Sequence, residues 1–174
     1  MHKSSYEKMS YFVEKYVIDT THSQNILDVG SFEVNGSYKS IFSEYNCNYT
    51  GLDFQDGPNV DLVVDDPYSW KELNNESFDF VISGQALEHC EFFWLAFSEI
   101  ARVLKTGSYC CIIVPSSGPE HKYPVDCWRF YPDGMRAMCK YAKLTPLEVS
   151  TNWNPSEFDD GSEVWKDTIL IAQK

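Results

Sequence analysis

The chain has 174 residues, a length that favours one domain with a sizeable core. Hydrophobic residues make up 43% and charged residues 23%, the balance of a folded globule and not of a disordered segment. A formal net charge of −12 argues against DNA, RNA or an anionic membrane as partner, because phosphate recognition needs clustered Lys and Arg. Cysteines stand at 47, 90, 110, 111, 127 and 139 without paired ligand spacing, so neither a disulfide framework nor a metal site is expected. The first ten residues lack an apolar segment and no apolar run reaches 18 residues, which predicts a cytoplasmic protein with reduced thiols and no membrane insertion.

In chain order, Tyr6, Met9, Phe12, Val13, Tyr16 and Val17 recur at helical spacing and predict an amphipathic helix over 4–18, within an N-terminal region 1–20. Ile26 to Val29 reads as a short strand. Tyr38, Ile41, Phe42 and Tyr45 predict a helix after Gly36. "NYTGLDF" (48–54) is a second strand with Asp53 near its end, and "VDLVV" (60–64) a third, ending at Asp65 and Asp66. "FDFVIS" (78–83) is a fourth strand. An aromatic-rich helix over 91–105 follows, stopped at Lys105, Thr106 and Gly107. "YCCIIVP" is a fifth strand, which points the side chains of Cys110 and Cys111 to opposite faces. After a loop over 115–131, "YPDGMRAMCKYAK" predicts a helix, and "LTPLEVSTNW" and "VWKDTILIAQK" two last strands. No linker divides the chain, so 1–174 reads as a single domain.

Strands alternating with helices imply an α/β fold with a mostly parallel, doubly wound sheet. In such sheets ligands bind at the carboxyl ends of the strands, where the strand order reverses. Four of the first five strands end in acids, glycines or polar residues: Asp28–Gly30, Asp53, Asp65–Asp66 and Ser83–Gly84–Gln85. The first loop, "DVGSFEVNG", carries neither the G-x-G-x-x-G of a dinucleotide site nor a P-loop, so no pyrophosphate cradle is present. Asp53, 25 residues beyond Asp28, stands where an acid can accept two hydrogen bonds from a ribose diol. A ribose acceptor without a phosphate cradle suits a nucleoside such as S-adenosylmethionine.

The run "ILDVGSFEVNGSY…YTGLDF…VDLVVDDP…FDFVISGQALEH…EIARVLKTGSYCCIIVP" resembles the class I S-adenosylmethionine-dependent methyltransferases, in the small branch with Leu-Glu-His after the fourth strand. The likeness covers residues 25–115 and implies a Rossmann-like seven-stranded sheet whose last strand is antiparallel. "GPEHKYPVDCWRFYPDGM" looks like a subgroup associated with surface-polysaccharide genes. The chain departs from the family's glycine-rich loop at Phe32 and Val34, and Asn35 and Gly36 stand in for the missing glycines in a longer loop.

The resemblance implies that Gly30 lets the backbone approach the methionine moiety, as a residue without Cβ can. Asp28 orients the loop or reaches the ammonium through water, and Asp53 accepts from both ribose hydroxyls. Asp65 accepts from the adenine amino group, with the Asp66 amide on a ring nitrogen. Ser83 and Gly84 offer carbonyls to the ammonium, and Phe54 packs on the adenine. For catalysis, the loop over 115–131 carries Glu120, His121, Asp126 and Arg129. His121 is the candidate general base, since an ordinary imidazole is largely neutral at pH 7. Asp126 orients it, and His89 is the reserve.

Plainer readings compete. A strand-end Asp is often a turn or cap residue. The stripe Phe92, Phe93, Trp94, Phe97 and Ile100 suits core packing, and the acids over 157–163 suit a solvated loop. Asp126 and Arg129 could simply hold the loop shut. For the whole chain, the leading expectation is O-methylation of a small hydroxylated molecule or glycan, with Tyr123, Trp128, Phe130 and Tyr131 available to stack on sugar faces. A nucleotide-dependent oxidoreductase on a related fold, or a catalytically inactive cofactor-binding partner subunit, are the alternatives. Acceptor identity and any oligomeric state are not readable from the residues.

Overall fold

The computed structural model describes residues 2–17, 21–154 and 158–174. Its centre is one seven-stranded sheet of β1 (Gln24–Val29), β2 (Cys47–Asp53), β3 (Leu62–Val63), β4 (Phe78–Gly84), β5 (Leu104–Pro115), β6 (Thr145–Thr151) and β7 (Asp167–Gln173). The strand order is β3-β2-β1-β4-β5-β7-β6. β1 to β5 pair in parallel, and β7 runs antiparallel to both β5 and β6. This is the Rossmann-like, mostly parallel α/β sheet that the resemblance implied.

Successive residues of each central strand serve opposite faces, as the period of two demands. Leu27, Val81, Cys110 and Ile112 pack under α2 (Phe93–Val103) and α3 (Pro132–Ala142), with Phe97, Ile100 and Met135. Ile26, Phe80, Ile82, Cys111 and Ile113 pack under α1 (Lys3–Tyr16), with Met9, Phe12 and Val13. Cys110 and Cys111 therefore do face opposite sides, and all six cysteines are free thiols. Phe97 and Ile100 are fully buried, which makes the aromatic stripe of α2 mainly core.

Several elements differ from their sequence pattern. The segment after Gly36 forms only a 3-10 helix, Lys39–Glu44. Its apolar residues are correctly spaced, but eight residues between two loops are too few for a stable α-helix, and Ser43 Oγ donates to Ser40 O. β3 shrinks to Leu62–Val63, flanked by amide bonds from Asp61 to Gly51 O and from Val64 to Asp53 O. α2 ends at Val103 and not near Gly107: the Glu76 and Ser77 amides bind the carbonyls of Arg102 and Val103, and β5 starts at once. α1 ends at Tyr16, and residues 18–20 of the expected N-terminal helical region lie outside the described residues. Among the described residues, the chain between β2 and β4 forms no helix. Trp70 is buried there instead, 1% exposed, its Nε1 donating to Pro67 O and its amide to Glu99.

Candidate active site

The strand order reverses between β1 and β4, so their carboxyl ends diverge and leave a crevice. Gly30 follows β1 with φ +76°, and a Cβ there would lie 2.3 Å from the Ala86 Cβ. Only glycine lets the two strand-end loops come this close. A cleft of about 780 Å³ opens over this edge, a size suited to a nucleoside and a small second ligand.

Its first bank comes from β1 and β2. Asp53 ends β2, 8% exposed, with its carboxylate accepting from the amides of Phe32 at 3.2 Å and Gln55 at 3.1 Å. Burial raises its pKa above the ordinary carboxylate value, offset by those amides. Gly30, Asn35, Asp53 and Phe54 all line the cleft, and Phe54 is 54% exposed at its mouth.

The remaining candidates for the cofactor sit elsewhere. Asp28 is buried behind the strand, where its carboxylate accepts from the Tyr49 phenol, and burial pushes its pKa up to about 7. Gly36 has φ +100° in an exposed part of the loop, away from the cleft wall. Asp65 and Asp66 are exposed, and Asp66 caps a turn by accepting from the Tyr68 amide at 2.8 Å. The wall beside them is made by Val64, Pro67, Tyr68 and Trp70. Ser83 is buried and donates to Val29 O. Gly84 makes room for the Tyr38 hydroxyl, which would lie 1.9 Å from a Cβ at that position.

The second bank comes from the turn after β4 and from the loop after β5. His89 and His121 both line the cleft, their rings edge to face at 4.8 Å. His89 Nδ1 lies 2.6 Å from Val125 O, which fixes the neutral ring with its proton on Nδ1 and leaves Nε2 free to accept. Burial lowers the His89 pKa and favours that neutral form. Asp126 does not line the cleft. Arg129 grips it at 2.6 and 2.8 Å, the His121 amide donates to it at 2.7 Å, and the guanidinium holds its pKa well below the carboxylate range. Asp126 is thus a positioning residue that fixes the His121 backbone. The loop is further pinned by the Cys127 amide on Glu88 O and the Phe130 amide on Pro115 O.

The aromatic expectation needs correction. Phe130 is 5% exposed and packs in the core, Trp128 packs on Phe93 and Trp94, and Tyr131 stacks on Trp153. Of the four, Tyr123 alone lines the cleft. The acidic loop needs correction too: Asp160 lines the cleft and accepts from the Lys3 amide at 2.8 Å, whereas residue 157 lies outside the described residues.

Some lining residues carried no local sequence signal. His2 and Lys3 at the start of α1 and Trp165 before β7 reach the cleft, as does Gln85 from the strand end already singled out. Asp167 ties three of these elements together, accepting from Ser4, Gln85 and His2. Glu88 lies directly behind His89, fully buried with neither carboxylate oxygen hydrogen-bonded, and burial pushes its pKa up to about 8. Its one signal was the Leu-Glu-His string itself.

Residues 27–112 match the family model described as a methyltransferase domain. The matched span covers 86 of the 174 residues and runs from β1 into β5. No curated protein matches the chain. Among solved structures, a SAM-dependent methyltransferase from Archaeoglobus fulgidus superposes with a TM-score of 0.69 at 18% identity, over 98% of this chain and 95% of that one. A Burkholderia thailandensis 1,6-didemethyltoxoflavin-N1-methyltransferase, solved with its substrate and S-adenosylhomocysteine, superposes at 0.72 and 14% identity, over 98% and 78%. A Haloferax volcanii structure of a methyltransferase with its Trm112 activator gives 0.70 and 15%, over 98% and 90%. At such identities the likeness is one of fold.

Proposed function

We propose that the protein is an S-adenosylmethionine-dependent methyltransferase acting on a hydroxyl of a small molecule or glycan. The observation that carries the reading is Asp53: a strand-end carboxylate facing a nucleoside-sized cleft, beside a Gly30 loop with no pyrophosphate cradle. The methyltransferase-domain match over the same strands supports it. Asp53 accepts the ribose hydroxyls, Phe54 lies on the adenine, and Gly30 and Asn35 border the methionine portion. Asp65, Asp66, Ser83 and Gly84 contribute through backbone position, and Asp28 and Gly36 through the shape of the loop.

Methyl transfer is an in-line displacement. The acceptor oxygen bonds to the methyl carbon as the carbon–sulfur bond breaks, S-adenosylhomocysteine leaves, and the hydroxyl proton departs. The sulfonium is already activated, so the protein supplies alignment and exclusion of water. The proton goes to the His121–His89 pair, with Asp126 positioning His121. The surface charge of −12 and the cleft's Tyr123 and Trp165 favour a neutral, ring-shaped acceptor over a polyanion.

Calorimetry should show one site per chain for S-adenosylmethionine and S-adenosylhomocysteine, and none for a nicotinamide dinucleotide. Binding of the dinucleotide alone defeats the reading in favour of an oxidoreductase. Donor binding without transfer from labelled donor to any glycan or small-molecule pool supports an inactive partner subunit instead. In single turnover, full transfer rates in both His121→Ala and His89→Ala would show that alignment alone suffices.

A further inference from the structure

Behind the second bank, three different donors converge. Among the described residues, the ligand atoms of Glu88, His89 and His121 all lie within 4.8 Å of one another. His89 Nε2 is 3.8 Å from Glu88 Oε1. Glu88 is 0% exposed, and neither of its oxygens has a hydrogen-bond partner. Ionising a carboxylate so placed costs several kcal/mol unless a cation meets it. Arg129 supplies electrostatic support, but its terminal nitrogens hold Asp126 and no hydrogen bond from it reaches Glu88.

The imidazoles are arranged as metal ligands are. A ligating histidine fixes its other ring nitrogen on a carbonyl or carboxylate, which sets the tautomer. His89 does this with Val125 O at 2.6 Å, and His121 Nδ1 lies 3.2 Å from Asp126 Oδ2, close but not aligned as a hydrogen bond. Donors about 2.1 Å from one ion stand about 3.4 Å apart, so from a spread within 4.8 Å the side chains need to close by up to about 1.4 Å.

We propose that Glu88, His89 and His121 form a three-ligand site for a first-row divalent cation, with its open positions facing the cleft. Two imidazoles and one carboxylate suit Zn²⁺, Mn²⁺ or Fe²⁺ rather than Ca²⁺, which prefers an all-oxygen shell. The site stands on donor geometry and not on the methyl-transfer reading.

The test uses the full chain after chelator treatment, titrated with Zn²⁺ and Mn²⁺ separately by calorimetry. One ion per chain is expected, with affinity lowered at least tenfold in Glu88→Gln and in His121→Asn. Glu88→Gln keeps the volume and removes a buried charge. His121→Asn, in a half-exposed position, serves if the first variant does not fold. The absorption spectrum of the Co²⁺-loaded protein should lack a thiolate charge-transfer band, which separates this site from the free cysteines. Absence of binding, binding unchanged in both variants, or a thiolate band overturns the proposal. Methyl-donor calorimetry on the metal-free protein tests the functional reading independently.

Discussion

The two banks of the cleft are built by opposite means. The β1–β2 bank is a backbone surface: Gly30 without a Cβ, a loop hung on the Leu52 carbonyl, and one strand-end carboxylate. The bank across from it is a side-chain surface, in which Glu88, His89, His121, Asp126 and Arg129 meet from two segments more than 30 residues apart. Each residue of the first bank follows from a short local pattern. The second exists only after β4 and β5 have paired, because that pairing brings the Leu87–His89 turn beneath the loop after β5. Removing a key side chain from one bank should therefore leave the other's ligand in place.

Arg129→Ala should break the second bank with the largest effect. Asp126 has a side chain only 2% exposed, and without the guanidinium it becomes an uncompensated charge in that setting. Stability measured by denaturant unfolding should fall by about 3–5 kcal/mol. Affinity for the methyl donor, measured where the variant is still folded, should stay within about threefold. A larger loss of donor affinity would mean that the banks are coupled.

Asp28 lies in the first bank by sequence but behind it in space. Its pKa of about 7 lies above the ordinary 3.8 because burial favours the protonated form. A raised carboxyl pKa contributes stability at low pH that is lost as pH rises from about 4 through 7. Asp28→Asn should remove that slope, since Asn can still accept from the Tyr49 phenol. The variant should gain on the parent across this window, by up to about 4 kcal/mol at pH 8. Its donor affinity should be unchanged, and a tenfold loss would return Asp28 to the ligand shell.

The division between the banks also explains what was legible. A mostly parallel sheet and a ligand crevice at its strand ends were expected from alternating apolar runs and from acids and glycines at strand ends, which are local signals. Asp53 and Gly30 line the cleft because they stand at the carboxyl ends of β2 and β1. Asp28 on β1 and Ser83 and Gly84 on β4 also stand near strand ends but are turned from the cleft, a distinction that depends on the pleat and on Tyr38 and Tyr49 from other segments. Trp165, Asp160 and His2 were invisible because their place depends on β7 returning antiparallel beside β5. Glu88 was named as part of a motif yet given no role, because burial without a partner cannot be read from a string.

Asp53→Ala tests the first bank directly. Losing hydrogen bonds to a charged group should weaken donor binding by about 1.5–3 kcal/mol, roughly tenfold to more than a hundredfold. The carboxylate also holds the Phe32 and Gln55 amides, so Asp53→Asn, which keeps an acceptor oxygen, should lose less of both affinity and loop order. Equal losses in the two variants would show that the charge, and not the loop it anchors, does the binding. Unaltered affinity in folded Asp53→Ala would move the ribose elsewhere.

The smallest effects give the sharpest contrast, because Phe54 and Tyr123 are matched. Both rings are 54% exposed and both line the cleft, one on each bank. Neither contributes much to the core, so Phe54→Ala and Tyr123→Ala should both fold with stability near that of the parent. A ring stacked on an adenine is worth about 0.5–1.5 kcal/mol beyond its buried area. Phe54→Ala should therefore weaken the methyl donor by roughly threefold to tenfold and leave the acceptor's KM alone. Tyr123→Ala should do the reverse, raising the acceptor's KM while donor affinity holds, because its loop belongs to the side-chain bank beside His89. Calorimetry with donor and steady-state kinetics with acceptor separate the two outcomes. Equal losses of donor affinity at both positions would mean that the nucleoside spans the cleft, and the assignment of one ligand to each bank would fail.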